Sequence, residues 1–156
     1  MQQKKIVIGC DNAAVEMKNM IITLLKEREI EVEDVGVPSS TDPMLYPEVA
    51  ACVCKKIMAS GYEKEGILLC GTGMGMCMTA NKFPGIFATV CHDNFSAERS
   101  RLSNNANLLC MGARVIGPEL AKKITAEWLS LAYIPGGSSQ LKVEAMRKID
   151  AAHCKA

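Results

Sequence analysis

The sequence predicts a single three-layer α/β/α sandwich on a five-stranded parallel sheet, with an extra helix at its C-terminal end. Short apolar runs at residues 5–10, 31–35, 66–70, 86–90 and 107–111 alternate with longer segments of helical period. That alternation is the mark of βαβ units with right-handed crossovers. The runs read as continuously apolar, as strands covered on both faces require. The 156 residues contain no internal repeat, low-complexity tract or linker, so they form one domain, 1–156.

The elements follow in order. After the first run come Gly9-Cys10-Asp11-Asn12, and then Met17, Met20, Ile21, Leu24 and Leu25 define one helix face. The second run opens a loop, 36–47, carrying Asp42, a turn residue before Pro43, and Tyr46. Pro47 suits a first helical turn, and Val49, Val53 and Ile57 stack behind it. The third run meets Cys70-Gly71-Thr72-Gly73-Met74-Gly75, with Met74, Met76 and Met78 read as adaptable packing and Asn81-Lys82 as structural. The fourth ends in Cys91-His92-Asp93-Asn94, and Glu98, Arg99 and Arg101 beyond it read as a solvated helix face or subunit contacts. The fifth ends in Gly112-Ala113-Arg114; Gly117-Pro118 then starts a helix with Leu120, Ile124 and Trp128. A breaker at 135–139 precedes a polar helix from Gln140 to about His153.

Composition excludes several classes. A net charge of +1 provides no basic field for nucleic acid or an anionic membrane, so an anion site must be local. No stretch is long enough to span a membrane, and the run at Ile6–Ile8 is too short for a leader core. Eight cysteines and ten methionines suit a reducing, cytoplasmic setting rather than a disulfide framework. With no C-x-x-C and only His92 and His153, no metal site is expected. Most cysteines, Cys10, Cys91 and Cys110 among them, read as small core hydrophobes.

In a sheet of this kind ligands bind at the carboxyl ends of the strands. Gly71, Gly73 and Gly75 would let backbone N–H groups approach an anion at a helix N-terminus. Their spacing is neither the dinucleotide fingerprint nor a P-loop, and by itself also suits a tight packed turn. Cys70 just before them shifts the balance, because a helix N-terminus stabilises a thiolate. Such a thiolate serves as nucleophile, with His92 as its partner, or as a base abstracting a proton beside a carbonyl, with the loop as oxyanion hole and Thr72 as hydroxyl partner. His92 reads equally as a site group or as a loop cap, and Asp11 as a ligand contact or an N-cap.

Gly9-Cys10-Asp11, Tyr46-Pro47, the stretch 66–73, the stretch 80–86, Ser96-Ala97-Glu98 and the stretch 112–117 resemble the type B ribose-5-phosphate isomerase and galactose-6-phosphate isomerase family over nearly the whole chain. The resemblance implies aldose–ketose isomerisation of a sugar phosphate through an enediolate, without metal or cofactor. It implies Cys70 as the carbon base and Thr72 as its hydroxyl partner. The amides of Gly71, Gly73, Met74 and Gly75 would hold the enediolate oxygen; Asp11, Asn12, Tyr46, Ser103 and Asn104 would contact the sugar; Arg114, Lys142 and Ser138 would face the phosphate. It also implies a homodimer or homotetramer with shared sites, in which the segment 136–156 contacts a partner subunit. That segment has few large apolar residues to anchor it.

The departures bear on the substrate. Asn12 and Ser103 stand where the family has histidines, the second of which opens the sugar ring; Ser138 and Lys142 stand where it has arginines. A lysine is a point charge without bidentate geometry. An unactivated serine cannot replace a ring-opening acid/base, so a short sugar phosphate that forms no ring fits best, such as a tetrose 4-phosphate. Two other readings stay open: a subunit active only beside a sister chain, as in the galactose-6-phosphate isomerases, and a nucleotide-binding module.

Overall fold

The computed structural model describes residues 5–153. The start of the expected domain, residues 1–4, and the end of the C-terminal segment, 154–156, lie outside the described residues. In order the elements are β1 (Lys5–Cys10), α1 (Val15–Glu27), β2 (Glu31–Asp34), α2 (Tyr46–Ala59), β3 (Lys64–Cys70), α3 (Met74–Ala80), β4 (Ala88–Val90), α4 (Asn94–Leu102), β5 (Leu108–Gly112), α5 (Pro118–Ser130) and α6 (Gln140–His153). All strand pairs are parallel, in the order β2-β1-β3-β5-β4. Helices α2 and α3 pack together, while α5 packs on both α1 and α4. The result is the expected three layers in a Rossmann-like arrangement.

Continuous burial holds only for β1, β3 and β5, which supply Ile6 to Cys10, Ile67 to Cys70 and Leu108 to Met111 to the core. The edge strand β2 has no fully buried residue. Its Glu33 instead bridges Lys56 at 2.5 Å and Lys64 at 2.7 Å. Edge strand β4 is three residues long, and side chains take backbone groups just before it and at its first residue. Asn107 Oδ1 accepts the Phe87 N–H at 2.8 Å, and Asn81 both accepts from Ala88 N and donates to its carbonyl. Asn81 is therefore structural, as expected.

Three expectations are corrected. Arg101 is no surface charge: it is 4 % exposed. It pairs with Glu65 at 2.6 Å, lies 4.3 Å from the centre of the Trp128 ring, and donates to the Ala106 and Leu131 carbonyls. The packing of α4 on α5 aims position 101 at Trp128. Leu120 is partly exposed, and Ala121, Ile124, Thr125 and Trp128 form the inner face of α5. Of the three methionines only Met76 packs inside; Met74 and Met78 are 58 % and 69 % exposed. A helix buries positions four apart, here Met76 and Ala80, not positions two apart.

Helix α6 crosses the amino-terminal edge of the sheet, where the Asp150 carboxylate accepts the Gly85 N–H at 2.8 Å. Val143 is its buried apolar anchor, while Leu141 and Ile149 face outward.

Candidate functional site

At the carboxyl edge, β3 ends on Cys70, which is 5 % exposed. The chain then turns through Gly71 and Thr72 into Gly73, whose φ of +77° is the left-handed conformation glycine adopts without strain. That turn brings the Gly73 N–H to the Cys70 sulfur at 3.1 Å, just where α3 begins. The sulfur is thus an acceptor at the head of a helix. Thr72 is exposed, and its Oγ1 accepts from Met74 N at 3.4 Å.

The other strand ends hold this loop in place. Ala113 N donates to the Cys70 carbonyl at 2.8 Å and Arg114 N to that of Gly71 at 3.0 Å. The Arg114 guanidinium lies over Gly71, where an added Cβ would meet Nη1 at 3.5 Å. Gly75 is covered by the Tyr46 ring, which would lie 2.6 Å from a Cβ there. Asp11 N donates to Leu69 O at 3.2 Å, setting Asp11 beside the end of β3. Its carboxylate accepts from Ala13 N at 3.0 Å in a turn before α1, and α1 has no side-chain cap, so the N-cap alternative falls. Exposed Asn12 lines a neighbouring crevice of about 650 Å³ with Ala113 and Gly117. Asp11, Tyr46, Cys70, Thr72, the glycines, Met74 and Arg114 therefore share one edge.

His92 neither partners the thiol nor donates to a carbonyl: its Nε2 accepts the Gly112 N–H at 2.9 Å. Burial holds its protonation below the usual histidine range, against the pull of Asp93. Burial likewise pushes the Cys10 thiol up to about 11 and the Cys54 thiol to about 12, and raises Cys91 and Cys110. These four are inert packing. Among the described residues no cluster of three His, Cys, Asp or Glu is placed to hold a metal ion.

Ser103, Asn104, Ser138 and Lys142 are elsewhere. Helix α4 leaves the carboxyl edge after β4 and runs back, so Ser103 and Asn104 emerge at the amino edge of the sheet. There Ser103 and Asn104 line a hollow of about 240 Å³ with Ser139, Lys142 and Met146 of the C-terminal segment. A second, adjoining hollow is lined by Ser103, Ser138, Tyr133 and Arg99. The seven residues of β3 separate the two edges by roughly 20 Å. Arg99 escaped the sequence reading because a charged helix face looks solvated; its Nη1 lies 3.3 Å from Ser103 Oγ, and Glu98 pairs with it at 2.8 Å.

Comparison with known proteins agrees with this fold. The Ribose/Galactose Isomerase family profile matches residues 6–146. The D-erythrulose-4-phosphate isomerase of Pectobacterium atrosepticum is 48% identical over 89% of this chain and 90% of its own length. The ribose-5-P isomerase B of Listeria innocua is 47% identical over 94% of this chain and 97% of its own. The solved ribose-5-phosphate isomerase B of Clostridium thermocellum superposes with a TM-score of 0.88 at 36% identity, covering 96% of this chain and 99% of the other.

Proposed function

Because the chain belongs to the ribose/galactose isomerase family, we propose that it interconverts the aldose and ketose forms of a sugar phosphate whose preferred size is four carbons. The observation that carries the chemistry is the near-buried Cys70 sulfur facing the Gly73 N–H at the head of α3. Cys70, as thiolate, takes the proton from the carbon next to the carbonyl. The electron pair moves onto the carbonyl oxygen, giving an enediolate whose charge faces the loop amides of Gly71, Met74 and Gly75, joined by that of Gly73 as it is released from the newly protonated sulfur. Thr72 moves the hydroxyl proton from one oxygen to the other, and Cys70 returns its proton to the neighbouring carbon. Asp11, Asn12 and Tyr46 hold sugar hydroxyls, and Arg114 draws in the anion.

Substrate length follows from Ser103. Its oxygen receives the Arg99 guanidinium, which leaves the hydroxyl hydrogen as a donor rather than making the oxygen a base. Such a group binds an open-chain sugar but does not open a ring. A tetrose phosphorylated on its terminal oxygen has no oxygen free to close a five-membered ring, so it needs no opening.

The distance between the two edges supports an active dimer, in which Ser103, Asn104, Ser138 and Lys142 of one copy meet the thiol edge of the other. Met44, Leu45, Tyr46, Met74 and Met78 leave that edge apolar and exposed, as a surface awaiting a second copy would be. A cytoplasmic setting suits the free thiols among the described residues, and none of the described helices is long and apolar enough to cross a membrane.

The test is kcat/KM on erythrose 4-phosphate against ribose 5-phosphate. The tetrose is expected to win, and Ser103→His to raise selectively the turnover of the ring-forming sugar, by a share of the roughly 10²–10⁴ an acid/base contributes. A clear preference of the unaltered enzyme for ribose 5-phosphate overturns the four-carbon assignment.

A further inference from the structure

We infer that His92 is a positioning residue for the isomerisation, whose neutral imidazole holds Gly112 beneath Thr72 and thereby fixes the loop that carries Cys70. This rests on the isomerase reading above. It begins where the β4–β5 ladder stops. The pairing ends at Val90 and Cys110, and the Cys91 N–H to Cys110 carbonyl bond at 3.1 Å is the last backbone rung. The next N–H of β5 on that side, from Gly112, is taken by a side chain, His92 Nε2 at 2.9 Å.

Gly112 is the register partner of Cys70, and it lies against the turn of the catalytic loop. A Cβ on it would come 2.6 Å from both Cα and C of Thr72. With Ala113 N on the Cys70 carbonyl and Arg114 N on that of Gly71, residues 112–114 form the floor on which the loop rests. His92 ties this floor sideways to the β4 end of the sheet.

The tie works in one protonation state. Nε2 accepts only while the ring is neutral with its proton on Nδ1; in the imidazolium both nitrogens are donors, and the Gly112 N–H would face another N–H. Burial favours the neutral ring and Asp93, next to it, opposes that. Asp93 is the charged neighbour that acts on the ring. Of the elements around it, β3 ends on Cys70, β5 carries Cys110, α4 carries Glu98, Arg99 and Arg101, and α5 carries Glu127, whose carboxylate is bound by Asn94. The neutral state prevails above the usual histidine value of 6.5 and is lost as pH falls through the lowered folded value.

The test compares kcat/KM on erythrose 4-phosphate from pH 5 to 8 for the unaltered enzyme, His92→Gln and His92→Leu. The Gln carbonyl accepts the same N–H and does not titrate. It is expected to keep activity within a small factor at pH 7.5 and to have a shallower acid limb. The Leu variant is expected to lose on the order of 10–100-fold at every pH, as a displaced catalytic loop does. The substrate phosphate titrates near pH 6 in all three enzymes, so only the difference between profiles counts. Superimposable profiles for the unaltered enzyme and His92→Gln, or full activity in His92→Leu, overturn the inference. A readout that needs neither variant to fold nor a substrate is the NMR shift of the Gly112 amide in the unaltered chain. It is expected to titrate together with the His92 ring, and a Gly112 amide that stays constant across that range also overturns it. A titrating Gly112 amide in an enzyme that turns over no sugar phosphate would instead take down the isomerase reading and leave the tie standing.

Discussion

The backbone N–H of Gly73 reaches the sulfur of Cys70 across 3.1 Å, and a left-handed turn at Gly73 makes that approach possible. The same three-residue turn therefore orients the proposed base and opens the helix whose amides would face the proposed enediolate. Position and chemistry are linked through one hydrogen bond.

Cys70→Ala removes the proposed base and is expected to lower kcat by roughly 10²–10⁴ while leaving the melting temperature nearly unchanged. Isomerase assays beside thermal unfolding check both halves. Activity retained by the Ala variant would remove Cys70 from the chemistry.

Gly112→Ala places a methyl 2.6 Å from the Thr72 backbone, which cannot yield as a side chain would. It is expected to cost about 1–3 kcal/mol and most of the activity. Gly117→Ala, with nothing within 4 Å, is the matched control: as the N-cap of α5 it should cost no more than about 1 kcal/mol and leave kcat unchanged. Denaturant unfolding and kcat on both variants decide.

Two defective enzymes should repair one another. Cys70→Ala lacks the thiol, and a variant carrying Asn104→Ala with Lys142→Ala lacks the group at the amino edge. Unfolded and refolded together in equal amounts, they are expected to recover about a quarter of the full activity, since half the dimers carry one intact site of two. No recovery, with mixed dimers demonstrated, would rule out a shared site.

Arg101→Ala leaves Glu65 beside Trp128 without its guanidinium and is expected to cost about 3–5 kcal/mol. Arg101→Met, which keeps most of the packing against the ring, should cost less than Ala. Chemical denaturation of the three proteins gives the ranking.

Asp93 caps α4, accepting from Ser96 N at 2.7 Å and from its hydroxyl at 2.6 Å. The bonds from Ser96 hold its carboxyl below the ordinary value of 3.8. A lowered folded value means that the stabilisation is present above the unfolded value and is lost as pH falls through the folded one. Asp93→Asn keeps a capping oxygen and should flatten that part of the acid-unfolding curve without destroying the cap.

How much of this could be read beforehand depends on the kind of signal. The strands β1, β3 and β5 are apolar along their length and the helices have clear period, so sheet and layers were visible. β2 was over-read, because Glu31, Glu33 and Asp34 belong to an edge that meets water and lysines. Arg101 looked solvated because its partners, Glu65 and Trp128, are remote in sequence and only the fold brings them together. Cys70 and its glycines were legible because strand, thiol and turn are contiguous. The tie between His92 and Gly112 was not, since twenty residues separate them and either nitrogen of the ring was free to donate or accept.

The division of the candidate site between two edges of the sheet has an evolutionary consequence. Residues 103, 104, 138 and 142 belong to the end of α4, the breaker loop and α6, all outside the strands that hold Cys70. In the proposed dimer, a substitution there would be felt by a sugar in the neighbouring copy while scarcely touching the fold of its own. Substrate length and anion grip can then drift in small steps under constant chemistry. After gene duplication, an assembly of two diverged copies would carry two unlike sites, each made of one parent's thiol and the other's selectivity.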